Sequence, residues 1–228
     1  MSRRVKPPAR AYDASGRRAA AQRTRRAILE AARRLFAESG YAATTMTHIA
    51  AAADVALDTV YAAVGRKPTL FRLLIESAIS GTDQAVPAEE RDYVRDIQAA
   101  PDAVRKLERY AQANRVIHAR LAPLLRVLQA AAPADPELAD VWREIAERRA
   151  RNMRLFAANL AGTGSLREDL SIDEAADVIW ATNSAELYIL LVQERGWDPD
   201  RYERWLTDAW CRLLLRAPDA LAPRRAVR

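Results

Sequence analysis

The chain has 228 residues, of which 50% are hydrophobic and 29% are charged, and its formal net charge is +6. This composition is typical of a globular protein with a substantial core, and it argues against a disordered or fibrous chain. Residues 1–72 contain 14 Lys and Arg against 5 Asp and Glu, a balance of +9, whereas residues 73–228 contain 22 against 25, a balance of −3. Such an asymmetry suggests a polyanion-binding N-terminal module joined to a neutral or acidic one.

Neither a membrane span nor a secretory signal is expected. The longest segment without a charged residue, Ser39 to Ala53, has fifteen residues, fewer than the ~20 apolar residues that a span needs. No apolar stretch follows the basic N-terminus, as a signal peptide would require. The single cysteine, Cys211, cannot form an internal disulfide. We therefore expect a protein of the reducing cytoplasm with no membrane partner.

The N-terminal third begins with a basic segment, residues 1–22, which we expect to be a flexible arm that can still bind phosphate. A helix is predicted over residues 23–39, because apolar residues recur there at three- and four-residue spacing and Gly40 follows as a stop. The inward positions of this helix are Ile28, Ala31, Ala32, Leu35 and Phe36.

Two short helices should follow and meet at a steep angle. Thr44 offers a hydroxyl to cap the first of them, and Asp54 falls where the chain must turn, since Asp tolerates left-handed backbone. The second carries Val60 and Val64 inward and ends at Gly65. The small residues Ala50 and Ala53, with Ile49, suit the close inner corner of a helix-turn-helix. The outer side of the second short helix is then free to enter a DNA major groove.

The segment "RTRRAILEAARRLFAESGYAATTMTHIAAAADVALDTVYAAVGRKPTLFRLLIE", residues 23–76, resembles the TetR/AcrR family of one-component repressors. The resemblance implies an all-α protein of about nine helices. It divides the chain into the arm, a helix-turn-helix DNA-binding domain over residues 23–72 and a helical ligand-binding and dimerisation domain over residues 73–220. Several positions depart from the family pattern: Asp54, Ala56, Val64 and Pro68. The residues that we expect at the DNA are Arg23, Thr44, Thr45, Leu57, Asp58, Thr59, Tyr61 and Lys67.

The expected roles at the DNA differ. The resemblance implies that Tyr61 points to a phosphate, although it could instead be a core aromatic. Lys67 stands at the start of the helix that we expect after Gly65, the fourth of the chain. It could hold a phosphate there, or be an ordinary solvated lysine. The second short helix, the third helix of the chain, has few hydrogen-bonding side chains. Base reading should therefore rest on Thr59 and on contacts of Leu57 with thymine methyl groups, while the arginine-rich arm lies in a minor groove.

Helix starts are marked clearly in the rest of the chain. Asp135-Pro136 and Asp198-Pro199 each indicate an N-cap followed by Pro at the first helical position, and "SIDE" at residues 171–174 is a capping box. These signals predict helices over residues 101–118, 121–131, 136–161, 173–195 and 199–216.

Polar residues interrupt the buried stripes of these helices. Asn114 and His118 lie on an otherwise apolar stripe, Asn183 and Glu186 interrupt another, and a mostly apolar cavity with a few polar groups is the usual form of a small-molecule site. Alternatively, Asn114 and Asn183 bond each other or lie in a dimer interface. The candidate ligand-binding residues are Tyr110, Asn114, His118, Arg149, Asn152, Phe156, Trp180, Asn183 and Leu187.

No catalytic set, metal cluster or cofactor-binding motif emerges, so we expect neither an enzyme nor a cofactor. The sequence predicts a regulator, most simply a repressor, whose partners are double-stranded DNA, a small-molecule effector and a second copy of the chain. A second apolar stripe near the C-terminus suggests that the last two helices form an intersubunit four-helix bundle. Its members are Tyr202, Leu206, Ala209, Trp210 and Leu213. The alternative is a nucleoid-binding or architectural protein with the same DNA module and no effector.

Overall fold

The computed structural model describes residues 14–83 and 86–217, and within them the chain is all-α apart from one isolated bridge between Leu166 and Leu215. The ten helices are α1 Ala14–Ala43, α2 Met46–Ala52, α3 Leu57–Val64, α4 Lys67–Ser80, α5 Asp92–Ala99, α6 Ala103–Ala131, α7 Pro136–Ala161, α8 Ile172–Thr182, α9 Ala185–Tyr188 and α10 Pro199–Leu214. Short 3₁₀ turns precede α5 and α7, and a π-helical segment, Ile189–Glu194, continues α9.

Helix α1 begins earlier than expected. Residues 14–22, which we assigned to a flexible arm, are helical and continuous with the predicted helix, whereas residues 1–13 lie outside the described residues. Three alanines from Ala19 to Ala21, among Arg and Gln, favour helix strongly enough to extend it. The expected stop is confirmed at Gly40, where φ is 74° and the helical path breaks.

The core of the first three helices follows the predicted pattern. Ile28, Phe36, Ile49, Val60 and Val64 are all buried. Asp54 has φ 54° and is the one non-glycine residue of the described chain with positive φ, as its place in the turn predicted. The small Ala50 is buried where α2 meets α3, so the two helices approach closely.

Helix α6 is one continuous helix of 29 residues, not the two predicted over residues 101–118 and 121–131. Pro123 lies inside it and removes one backbone donor, which usually breaks or kinks a helix. Buried residues continue on both sides of the proline, from Leu121 and Ala122 to Leu124 and Leu128. Packing of this face therefore outweighs the local cost of the proline.

The predicted helix over residues 173–195 is interrupted at Asn183, whose φ and ψ are −88° and 56°. Ser184 then caps α9 by accepting a hydrogen bond from the Leu187 amide. The capping signals themselves are confirmed: Asp135 and Asp198 accept first-turn amides, and Ser171 forms the expected capping box with its helix. The break at Asn183 turns this side chain into the interior.

Helix α10 packs on α6 within the single chain. Tyr202, Leu206 and Trp210 are fully buried there, so the expectation that this stripe needs a second chain to cover it is wrong for these three residues. Leu213 remains 43% exposed, and Leu190 and Trp205 are also exposed large apolar residues.

Among the described residues no single helix is long and apolar enough to cross a membrane, although α8 and the segment Ala185–Glu194, which meet at a 41° bend, would pass on length and composition if counted together.

Candidate DNA-binding surface and ligand cavity

The two adjacent threonines before α2 have different roles. Thr45 is the N-cap, and its hydroxyl accepts a hydrogen bond from the His48 amide at 3.1 Å. Thr44 is only 1% exposed and donates to the carbonyl oxygens of Leu35 and Gly40, at 3.1 Å and 2.8 Å. The predicted cap is therefore one residue too early. Thr44 ties α1 to α2 inside the domain and does not face DNA.

Helix α3 presents a continuous exposed face. Leu57, Asp58 and Thr59 are exposed around its first turn, and Tyr61 is 45% exposed, while Val60 and Val64 anchor the opposite side. Tyr61 is thus placed outward and is not a core aromatic. The N-cap, Ala56, makes no side-chain hydrogen bond.

Basic side chains lie on α1 and α4, two helices that pack against α3. Lys67 is half-buried, with Nζ 4.0 Å from the centroid of the Tyr41 ring, and burial lowers the pKa of Lys67. Arg23 is exposed on α1, within the helix predicted over residues 23–39. Arg25, which no pattern in the sequence singles out, donates from Nη1 to the Ala63 carbonyl oxygen and so fixes α3 against α1.

A cavity of about 390 Å³ lies between α6, α7 and the break that separates α8 from α9. Seven of the nine predicted ligand-binding residues line it: Tyr110, Asn114, His118, Arg149, Asn152, Trp180 and Asn183. Phe156 instead lines an adjoining cavity of about 360 Å³, and its ring packs edge-on against Tyr110 with centroids 4.7 Å apart. Leu187 is half-buried outside the lining of both, so its assignment is not supported.

One side of the cavity is closed by a hydrogen-bonded group. Asn183 donates from Nδ2 to the Tyr110 hydroxyl oxygen and lies 3.3 Å from the Met153 sulfur, which also accepts from Tyr110 at 3.2 Å. Burial raises the pKa of Tyr110 far above its ordinary value, so the phenol stays neutral. The alternative that Asn183 bonds Asn114 is therefore wrong.

The other side carries polar atoms without protein partners. Asn114 and His118 are 2% and 4% exposed. Asn114 Nδ2, His118 Nδ1 and Arg149 Nε have no hydrogen-bond partner among the described residues. Burial, together with the positive charge of Arg149, lowers the pKa of His118 to about 3, so the imidazole is neutral at neutral pH. Unpartnered groups of this kind are costly in a protein interior and suit a ligand.

Arg149 is held from one side only. Its Nη2 donates to the Trp180 carbonyl oxygen, and its guanidinium carbon lies 4.6 Å from the centroid of the Trp180 ring. Burial lowers the pKa of Arg149. Arg149 lines the cavity, and its buried Nε has no hydrogen-bond partner among the described residues.

A buried ion-pair cluster beside the cavity was not foreseen from the sequence. Glu76 on α4 accepts a hydrogen bond from Arg91 at 3.4 Å and forms an ion pair with Arg148 at 2.5 Å, and Arg91 and Arg148 both line the cavity. These residues are far apart in the sequence and share no motif, so only the packing brings them together. In the described part of the chain, no group of three or more His, Cys, Asp or Glu residues is arranged to hold a metal ion.

Residues 28–72 match the family model of bacterial regulatory proteins, tetR family. No curated protein sequence matches the chain. Solved structures with a similar fold include SmeT in complex with triclosan, with a TM-score of 0.68 and 18% identity, covering 91% of this chain and 98% of SmeT.

Two further structures are similar over most of their length. NalD, the secondary repressor of the MexAB-OprM multidrug efflux pump in Pseudomonas aeruginosa, has a TM-score of 0.66 and 21% identity, covering 87% of this chain and 98% of NalD. A gamma-butyrolactone receptor, an ArpA-like protein, has a TM-score of 0.56 and 21% identity, covering 89% of this chain and 93% of the receptor. At these identities the similarity establishes the fold.

Proposed function

We propose that this chain, whose residues 28–72 match the tetR family model, is a transcriptional regulator of the TetR/AcrR family. We propose further that it is a repressor that binds a palindromic operator as a homodimer and is released by a mainly apolar small molecule. The observation that carries the ligand response is the cavity with unpartnered buried polar groups. An architectural DNA-binding protein without an effector would have no use for such a cavity, because closing it with apolar side chains would stabilise the fold.

The DNA contacts are assigned to the exposed side of α3 and its surroundings. Two-fold symmetry of the dimer would place two α3 helices in successive major grooves, about 34–36 Å apart. Thr59 and Leu57 read base edges, while Tyr61 and Lys67 contact phosphate. The exposed residues Arg23 on α1, Thr45 at the N-cap of α2 and Asp58 on α3 complete the proposed contacts. Arg23 supplies positive charge that makes affinity fall with salt.

Dimerisation is assigned to α8, α9 and α10. The residues available for it are those that the single chain leaves exposed, since Tyr202 and Trp210 are already covered by α6. Leu190, Trp205 and Leu213 are large apolar side chains on these last helices that remain exposed.

Three ion pairs join the end of the DNA-binding domain to α7. They are Arg66 with Glu137 at 3.3 Å, Arg72 with Glu144, and Glu76 with Arg148 at 2.5 Å. Because Arg149 and Asn152 follow Arg148 on the same helix, a ligand that shifts α7 would carry α4 and the DNA-binding domain with it. The two outer pairs are exposed and contribute little; the buried Glu76 pair is the stronger link.

A ligand acts only if it binds the two arrangements of the dimer with different affinities. A ~100-fold difference corresponds to about 2.7 kcal/mol of coupling, which is within the usual allosteric range.

The test begins with native mass spectrometry of the purified protein, which should show the mass of a dimer. A small molecule retained in the cavity would appear as additional mass. The protein is then used to select a DNA site from random duplexes, and release of that site is followed by fluorescence anisotropy as compounds are added. We expect a two-fold symmetric site that is released by compounds that occupy the cavity. A selected site without two-fold symmetry would contradict the proposal. So would a DNA affinity that stays the same with every compound that binds in the cavity.

A further inference from the structure

We infer that the cavity takes an organic anion, a mainly apolar molecule with one ionised acidic group that lies against Arg149, Asn114 and His118. The inference rests on the proposed function, because it names the chemical class of the effector. It is carried by the charges and the unpartnered hydrogen-bonding atoms of the cavity wall.

The charges of the wall do not balance. Arg91, Arg148 and Arg149 contribute three guanidinium groups, whereas the carboxylates at the described cavity are Glu186 in the lining and Glu76 behind it. Glu76 is shared between Arg91 and Arg148, and Glu186 accepts a hydrogen bond from Gln129. Arg149 makes no ion pair with a carboxylate in the residues that the structure describes. The Glu186 charge acts on Arg149 only from beyond ion-pair distance, and a half-buried guanidinium without a contacting carboxylate favours an anionic partner.

The unpartnered atoms are suited to anionic oxygens. Arg149 Nε and Asn114 Nδ2 can only donate, and the neutral imidazole of His118 can donate from Nδ1. Asn114 and His118 are four residues apart on α6, so their side chains lie on the same face of the helix. The contact of Arg149 with Trp180 holds the guanidinium in place before a ligand arrives. A carboxylate or phenolate can accept from this set, whereas an ammonium would be repelled by the positive charge of Arg149.

The rest of the cavity is apolar and large enough for an aromatic or alkyl body. Its apolar lining includes Ile117, Leu121, Leu125, Trp142, Ile145 and Met153. The volume of about 390 Å³ falls within the range of organic ligand sites, ~300–1,000 Å³. The ligand class is therefore an amphipathic weak acid in its ionised form.

The experiment measures how the full-length protein binds compounds that share a carbon skeleton and differ only in the polar group. Two such series are used. Isothermal titration calorimetry is performed with a biphenylcarboxylate and a medium-chain alkyl carboxylate, the primary amide of each and the corresponding amines. A charge-assisted hydrogen bond should make at least one carboxylate about 10- to 100-fold tighter than its amide, with the amine weakest. Equal binding of carboxylate and amide, a preference for the amine, or no binding by either carboxylate would overturn the inference.

Variants on α7 locate the charge. Arg149→Gln should reduce carboxylate affinity to that of the amide and leave the amide unchanged, whereas Arg149→Lys should keep the preference for carboxylate over amine. Arg151→Gln is the matched control, since Arg151 is exposed two residues away on the same helix and does not line the cavity. An Arg149→Gln protein that melts like wild type and retains the carboxylate preference would overturn the assignment.

Failure of the inference can be distinguished from failure of the proposed function. If the carboxylate binds through Arg149 but does not release the selected DNA site, the ligand class stands and the proposed response is wrong. If instead a neutral or cationic compound binds more tightly and releases the DNA, the proposed response stands and the ligand class is wrong.

Discussion

Replacing Asn114 with Leu should separate ligand binding from stability. The Asn114 amide is buried, and its Nδ2 has no partner in the described residues, whereas the Asn183 amide donates to Tyr110. An unsatisfied buried polar group costs about 1–3 kcal/mol, while near-isosteric apolar replacement of such a group is neutral or stabilising. Asn114→Leu should therefore leave the free energy of unfolding unchanged or higher. Asn183→Leu removes the amide that donates to Tyr110, a buried hydrogen bond, and should lower the free energy of unfolding by about 1–3 kcal/mol.

Thermal unfolding of the ligand-free proteins measures this difference. For a chain of this size each kcal/mol shifts Tm by about 2–4 °C, so Asn114→Leu should melt at or above wild type and Asn183→Leu clearly below it. In calorimetric titration with the carboxylate that binds wild type, Asn114→Leu should lose about 10-fold or more in affinity, with DNA binding intact. If Asn114→Leu melts below Asn183→Leu, or binds the carboxylate normally, the reasoning about unpartnered groups is refuted.

Four further outcomes follow from the structure. Tyr61→Phe should weaken binding to all DNA sites alike by removing a phosphate contact, whereas Thr59→Ala should change the preferred bases, as measured by anisotropy on a panel of sites. Glu76→Gln should reduce ligand-induced DNA release without weakening ligand binding, because it removes a negative charge from behind the cavity. Folding lowers the pKa of His118 from 6.5 to about 3, so between these pH values the unfolded chain binds a proton that the folded chain does not. Stability is therefore lost as the pH falls from 6.5 to about 3, and His118→Gln should make this loss smaller. Leu213→Asp should give folded monomers in sedimentation, since Leu213 is exposed on the single chain.

Each of these variants has a control or a contrary result. A His118→Gln protein whose loss of stability in acid equals that of wild type would contradict the reasoning about the buried imidazole. Glu144→Gln, in the exposed pair with Arg72, should affect DNA release less than Glu76→Gln. A Tyr61→Phe protein with undiminished DNA affinity would remove Tyr61 from the phosphate contacts, and an unchanged dimer of Leu213→Asp would place the interface elsewhere.

Local signals in the sequence were sufficient for much of the fold. Helix starts at Asp135, Ser171 and Asp198 depend on side chains that reach amides two or three residues away, so they can be identified without knowledge of the packing. Periodicity likewise placed Asn114 and His118 on the inward stripe of α6, because the face of a helix is set by spacing alone. The glycine stop at Gly40 and the turn at Asp54 are local for the same reason.

Features that depend on distant neighbours were decided by the tertiary structure. The continuity of α6 through Pro123 comes from a buried face that spans the proline, and Thr44 loses the capping role to Thr45 because the core takes up its hydroxyl. The partners of buried polar groups lie on other helices: Asn183 finds Tyr110, and Glu76 finds Arg148. Spacing along one helix determines which side chains point inward, but the packing of separate helices determines what each of them meets there.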